Sequence, residues 1–120
     1  MSDNTTQVAE LRTLVRQFVD DRDWQQFHSP KNLSMALAIE AAELMEHFQW
    51  ITTDESRVIG EAPERLSAVA EELADVMCYA FAIANELNID VSNVMRAKMK
   101  KNILKYPVAE YRGRYGPKDD

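Results

Sequence analysis

Cysteine occurs once, at Cys78, so no intrachain disulfide can form and a stapled, secreted scaffold is excluded. Glycine and proline are also scarce, with 3 and 4 copies in 120 residues. That is too little turn chemistry for an all-β sandwich or a Gly-rich nucleotide-binding fold. Positive charge is short as well: 14 Lys and Arg against 20 Asp and Glu leave a formal net charge of −6. Such a chain lacks the basic field with which proteins gather nucleic-acid polymers or anionic membrane surfaces. A small phosphorylated ligand held through a cation stays open. No uncharged run approaches the roughly 18 to 20 residues of a membrane span; the longest apolar stretch, around 76–87, contains Asn85 and Glu86. Residues 1–4 are polar and acidic, without the basic start and apolar centre of a signal peptide. The expectation is a soluble, cytoplasmic, mostly helical protein of one domain.

What is present is helical periodicity. Val8, Leu11, Val15 and Phe18 recur at spacings of three and four, predicting a first helix over about 6–23. Ser29 and Pro30 form an N-cap and first-turn pair, opening a second helix whose apolar residues run to Ile51. Residues 52–63 read as a loop with one short turn. A third helix is expected from Pro63 to Leu87, and a fourth from Val91 to Lys105 behind Asp90 as N-cap. Tyr106-Pro107 ends it, because proline disfavours helical geometry in the residue before it. The fold class is therefore all-α, a four-helix bundle over residues 1–110 with an irregular tail at 111–120. Around 76–84 the third helix is apolar on its whole circumference, and such a helix is buried all round. Either the first and fourth helices wrap it or a second copy of the chain does; the shortness of the chain favours the copy.

Acidic residues interrupt these apolar faces. Glu40 and Glu43 are three apart on the second helix, and Glu72 and Asp75 are three apart on the third, so each pair points one way. Leu33, Leu37 and Leu44 flank Glu40 on the helical wheel, while Val69, Val76 and Ile83 flank Glu72. One such pair on an acidic chain arises readily by chance, whereas two on neighbouring helices form a pattern. If the faces oppose, four carboxylates converge where water is scarce, and an uncompensated buried charge costs several kcal/mol. A divalent cation with a preference for hard oxygen ligands, Mg²⁺ or Mn²⁺, resolves the conflict. A zinc site lacks its Cys and His set. A ferritin-like di-iron site lacks its Glu-x-x-His motifs, since neither His28 nor His47 follows a glutamate by three.

The run Glu40-Ala41-Ala42-Glu43, with Phe48-Gln49-Trp50 after it and Glu71-Glu72-Leu73-Ala74-Asp75 further on, resembles the MazG-like all-α nucleoside triphosphate pyrophosphohydrolases. Their signature is ExxE, a spacer, then ExxD. Arg22-Asp23-Trp24-Gln25-Gln26-Phe27-His28, and Lys98-Met99 with Asn102 and Tyr106-Pro107, bring it nearest the dCTP pyrophosphatase branch. The likeness runs from about Leu11 to Pro107.

The resemblance implies a Mg²⁺-dependent hydrolase that cleaves a nucleoside triphosphate between the α and β phosphorus atoms, with Glu40, Glu43, Glu72 and Asp75 as metal-holding catalytic residues. One carboxylate takes a water proton; the sequence leaves the choice open, with Glu43 the first candidate. It further implies substrate contacts from Trp24 and Trp50 to the base and from Lys98 and Asn102 to phosphates and sugar, with Tyr79 and Tyr106 also touching the substrate. Each has a plainer reading as well: core aromatics for the tryptophans and Tyr79, and a solvated face for Lys98 among Lys100, Lys101 and Lys105. A homotetramer with sites completed by neighbouring chains is part of the same implication. The expected role is nucleotide-pool housecleaning on dCTP or modified dCTP. The alternatives are another substrate (dUTP, a general NTP or phosphoribosyl-ATP) or a helical oligomer that binds nucleotides without catalysis.

Overall fold

A computed structural model describes residues 1–114, and in it every regular element is helical. The helices are α1 (Val8–Asp21), α2 (Pro30–Glu46), α3 (Thr53–Arg57), α4 (Pro63–Leu87), α5 (Val91–Lys105) and α6 (Val108–Tyr111), with a 3-10 turn at Ile59–Glu61. Among the described residues no helix is long and apolar enough to cross a membrane. The chain divides into two compact units, Met1–Asn88 and the segment from Ile89 onward. The end of the expected irregular tail, 115–120 with Tyr115, lies outside the described residues.

Local chemistry sets most boundaries. Gln7 N–H donates to Glu10 Oε2 at 2.6 Å and starts α1 two residues later than the periodicity suggests. Asp23 ends it with a left-handed backbone, φ 52°. Asp23 N–H then reaches Asp20 O at 3.1 Å and Trp24 N–H reaches Val19 O at 3.1 Å, the paired bonds of a Schellman motif. Ser29 Oγ accepts from Asn32 N–H at 3.1 Å, with Pro30 at the first helical position, as expected for α2. That helix stops at Glu46, five residues short of Ile51. After it His47 N–H and Phe48 N–H bond the carbonyls three residues back, Leu44 O at 3.3 Å and Met45 O at 2.9 Å, and further on Thr52 is extended, its Oγ1 capping Glu55 N–H of α3. The expected loop thus contains α3 and the 3-10 turn. α4 and α5 occupy the expected spans, with Asp90 Oδ1 accepting from Asn93 N–H at 2.9 Å. Past Tyr106-Pro107 the chain is not wholly irregular, since Val108–Tyr111 forms a short helix.

In the first unit α2 lies along α4, and α1 packs on α4 as well. Leu33 of α2 is 1% exposed, and Val19, Phe81, Ala82 and Ala84 are buried with it. The seam between α1 and α4 is tied by Asn85, whose Oδ1 accepts from Arg12 Nε at 3.1 Å and whose Nδ2 donates to Arg12 O at 3.1 Å. The core is small for so apolar a sequence. Ile39 and Met45 of α2 remain 60% and 59% exposed, and Leu66, Leu73 and Met77 of α4 are likewise exposed.

Candidate active site

Because α2 runs against α4, the Glu-x-x-Glu of one faces the Glu-x-x-Asp of the other. Glu40, Glu43 and Glu72 bring one carboxylate oxygen each within 4.8 Å of one another. Glu40 and Glu72 are half-buried, and each holds an Oε2 that is buried with no hydrogen-bond partner. Glu43 is exposed at the rim. Burial first, and then the neighbouring carboxylates of Glu43, Glu72 and Asp75, raises Glu40 from its ordinary 4.5 to about 7. Unsatisfied hard oxygens with this spacing fit a divalent cation of the Mg²⁺ class, which takes oxygen ligands and relieves the repulsion.

Asp75 is exposed and stands outside the three-oxygen cluster, yet its charge is felt by Glu40, Cys78 and Tyr79. It marks the boundary between the acids and an apolar cavity of about 590 Å³ lined by α1, α4 and the turn after α1. Leu11, Val15, Phe18, Met77 and Phe81 furnish the greasy walls, and Trp24, His28, Asp75 and Tyr79 are the larger polar-tipped groups. Burial, followed by the charges of Glu40 and Asp75, pushes the Tyr79 phenol up, so its O–H stays a donor beside the acids. Burial and Asp75 likewise push the Cys78 thiol up, which keeps it unreactive.

The Schellman turn places Trp24. With Asp23 left-handed, the indole folds back to meet Phe18 edge-on, ring centroids 5.6 Å apart at 78°. Arg22 covers the Phe18 ring at 3.9 Å. His28 sits 6.0 Å from the Trp24 ring, its backbone N–H bonded to Trp24 O and Gln25 O at 3.1 Å each. An apolar slot with an aromatic wall at one side and carboxylates at its end suits a flat heterocycle joined to a polyanion.

The sequence-derived residues thus divide. Glu40, Glu43 and Glu72 converge, and Asp75, Tyr79 and Trp24 line the adjoining cavity. Trp50 does not: it is 88% exposed in the turn after α2 and is absent from the cavity wall. In the second unit Lys98 is exposed and Asn102 half-buried on α5. There Tyr106 meets Tyr111 edge-on at 5.2 Å and lies under Lys105 Nζ at 5.3 Å. His28, which the sequence shows only as the end of the Arg22–His28 motif, has an Nδ1 that is buried without a partner. The residues of α1 that wall the cavity were legible only as a helix face.

The MazG-like family model matches residues 35–115. Among curated proteins, the chain is 41% identical over 98 residues to dCTP pyrophosphatase 1 of Homo sapiens, covering 82% of this chain and 58% of that one. It is 38% identical over 104 residues to dCTP pyrophosphatase 1 of Bos taurus, covering 87% and 62%. The chain therefore spans about three-fifths of the length of the curated relatives it matches. Among solved structures it is similar to the crystal structure of a pyrophosphatase from Archaeoglobus fulgidus, with TM-score 0.76 and 36% identity over 89% of this chain and 98% of that one.

Proposed function

The chain belongs to the MazG-like family, and from that premise we propose that it is a metal-dependent nucleoside triphosphate pyrophosphohydrolase that converts dCTP, or a modified dCTP, to the monophosphate and pyrophosphate. The observation that carries the reading is the Glu40–Glu43–Glu72 oxygen cluster bordering, through Asp75 and Tyr79, an apolar cavity walled by Trp24. The names of the curated relatives support the substrate.

On this reading Glu40, Glu43, Glu72 and Asp75 hold Mg²⁺, or Mn²⁺ in its place. The cation supplies charge neutralisation at the phosphate oxygens and an acidified water. Glu43, at the exposed rim, would be the carboxylate that accepts a proton from the attacking water. Tyr79 donates its O–H toward the phosphate end, and Trp24 stacks on the base. Lys98, Asn102 and Tyr106, one turn apart along and just past α5, belong to phosphate and sugar contacts in the same scheme.

We place the enzyme in the cytoplasm as a homotetramer. The exposed Ile39 and Met45, together with Leu66 and Leu73, are the apolar surface that a second copy covers. Trp50, too exposed to belong to its own chain's cavity, is available to a neighbouring site.

The test is pyrophosphate release from a panel of canonical and modified NTPs and dNTPs, with Mg²⁺ and with chelator. The proposal expects release from dCTP and its analogues that chelator abolishes and Glu72→Gln eliminates without loss of helicity. Release from dUTP, from NTPs at large or from phosphoribosyl-ATP would keep the acids and discard the base assignment. Binding without release would make the chain a non-catalytic nucleotide binder.

A further inference from the structure

Two polar residues break the longest apolar stretch of the chain, Asn85 and Glu86. The seam between α1 and α4 accounts for the first. Both ends of the Asn85 amide are bonded to Arg12, and Arg16 Nη2 adds a contact to its Oδ1 at 3.4 Å. Nothing in the fold accounts for the second: among the described residues the Glu86 carboxylate has neither a hydrogen bond nor an ion pair. It stands on the wall of a polar recess of about 250 Å³, beside Arg16, Asp20 and Gln25. Those neighbours are engaged with other groups, Arg16 with Asn85 and Asp20 as the acceptor of Gln25 Nε2. Glu86 is the charged side chain of the recess left without a partner.

The recess adjoins the apolar cavity and shares Val15, Val19 and Ala82 with it. The acids end at Asp75, and Ala82 lies seven residues further along α4, about 10 Å at 1.5 Å per residue. Glu86 is one turn beyond Ala82, but helical side chains lean toward the N-terminus and cover the preceding turn. Its carboxylate therefore reaches back to the level of Ala82, in keeping with the recess that the two residues line together. A pyrimidine nucleotide with its phosphates at the acids and its ring against Trp24 extends along the same line. Position 4 of the ring lies opposite N1, the atom joined to the sugar, so its substituent projects furthest from the phosphates. In cytosine that substituent is an amino donor, whereas uracil carries a carbonyl acceptor there. A carboxylate accepts and does not donate, so it suits the first and repels the second.

We propose that Glu86 is a specificity-determining residue whose carboxylate accepts from the 4-amino group of a bound cytosine and excludes the 4-carbonyl of uracil. The inference rests on the nucleotide reading of this site, and its test is equilibrium binding without turnover. The α,β-imido analogues of dCTP and dUTP, which resist cleavage, are titrated calorimetrically with Mg²⁺. Inorganic triphosphate, which has no base, is the third probe. The wild-type chain should prefer the cytosine analogue roughly tenfold, the worth of one such base contact. Glu86→Gln introduces an amide that both donates and accepts, at an exposed position where the fold tolerates it. This variant should bring the two analogues within about twofold of each other and leave the Kd for inorganic triphosphate unchanged. A preference that survives Glu86→Gln overturns the proposal. So does a wild-type chain that binds both analogues alike, and so does a parallel loss for inorganic triphosphate, which would place Glu86 with the phosphates. Pyrophosphate release decides the catalytic reading separately: a chain that cleaves dCTP, and whose preference survives Glu86→Gln, loses this inference and keeps that reading.

Discussion

If Glu40 holds the proposed cation, binding of that cation is coupled to protons. The Glu40 carboxyl, raised to about 7 by burial and by the adjoining acids, still holds a proton across much of the neutral range and must lose it to become a ligand. With one proton to displace, the apparent affinity falls by the factor 1 + 10^(pKa − pH), about 11 at pH 6 and about 1.1 at pH 8. Mg²⁺ or Mn²⁺ should therefore bind about tenfold more weakly at pH 6 than at pH 8, and about half a proton should be released per cation at pH 7. Calorimetric titration in two buffers of different ionisation enthalpy reads both quantities. Stability of the cation-free chain carries the opposite sign. An acid whose folded pKa lies above its unfolded value stabilises the fold at low pH and loses that contribution as pH rises from about 4.5 to about 7. The urea midpoint without cation should fall over that window, and saturating Mg²⁺ should remove the fall. An affinity flat from pH 6 to 8, with no proton released, would refute the reasoning, because Glu40 would then have no proton to give up.

Three other perturbations follow from the geometry. Leu33→Ala removes the most deeply buried side chain of the α2–α4 packing and should destabilise the fold by about 3 kcal/mol in urea denaturation. Asp23→Ala places a methyl side chain at φ 52° without the local hydrogen bonding open to Asp, and should cost about 1 kcal/mol; Asp23→Gly should be close to neutral. Trp24→Ala should raise KM for the nucleotide by roughly five- to a hundredfold, corresponding to about 1–3 kcal/mol of lost stacking, while kcat changes little. A fall in kcat with KM held would instead place Trp24 at the reacting phosphates.

The features legible in the sequence were those that local chemistry decides. Ser29 before Pro30 and Asp90 before Val91 are caps whose hydrogen bonds form within one turn, and Pro63 brings the fixed φ of a first helical residue to α4, so the spans of α4 and α5 needed no tertiary information. The end of α2 was not legible because two local rules compete there. The apolar pattern continues to Ile51, but the backbone tightens into i−3 turns from His47 and Thr52 is extended as the cap of α3.

The site divides along the same line. Carboxylates flanked by Leu33, Leu37 and Leu44 on one helix, and by Val69 and Val76 on the next, are conspicuous in a one-dimensional pattern because the conflict they create is local. Which oxygens meet is not local, since it depends on how α2 crosses α4. That crossing brings Glu40, Glu43 and Glu72 together and leaves Asp75 facing the cavity. The turn that folds Trp24 onto Phe18 hinges on one left-handed residue, Asp23, which nothing in the spacing of Arg22-Asp23-Trp24 announces. His28 is the extreme case. Its Nδ1 is buried without a partner, and that circumstance exists only once α1, α4 and the intervening turn have closed around the ring. Residues chosen for what they touch can be read from periodicity; a residue held ready for a ligand is recognised by what the folded chain leaves unmet.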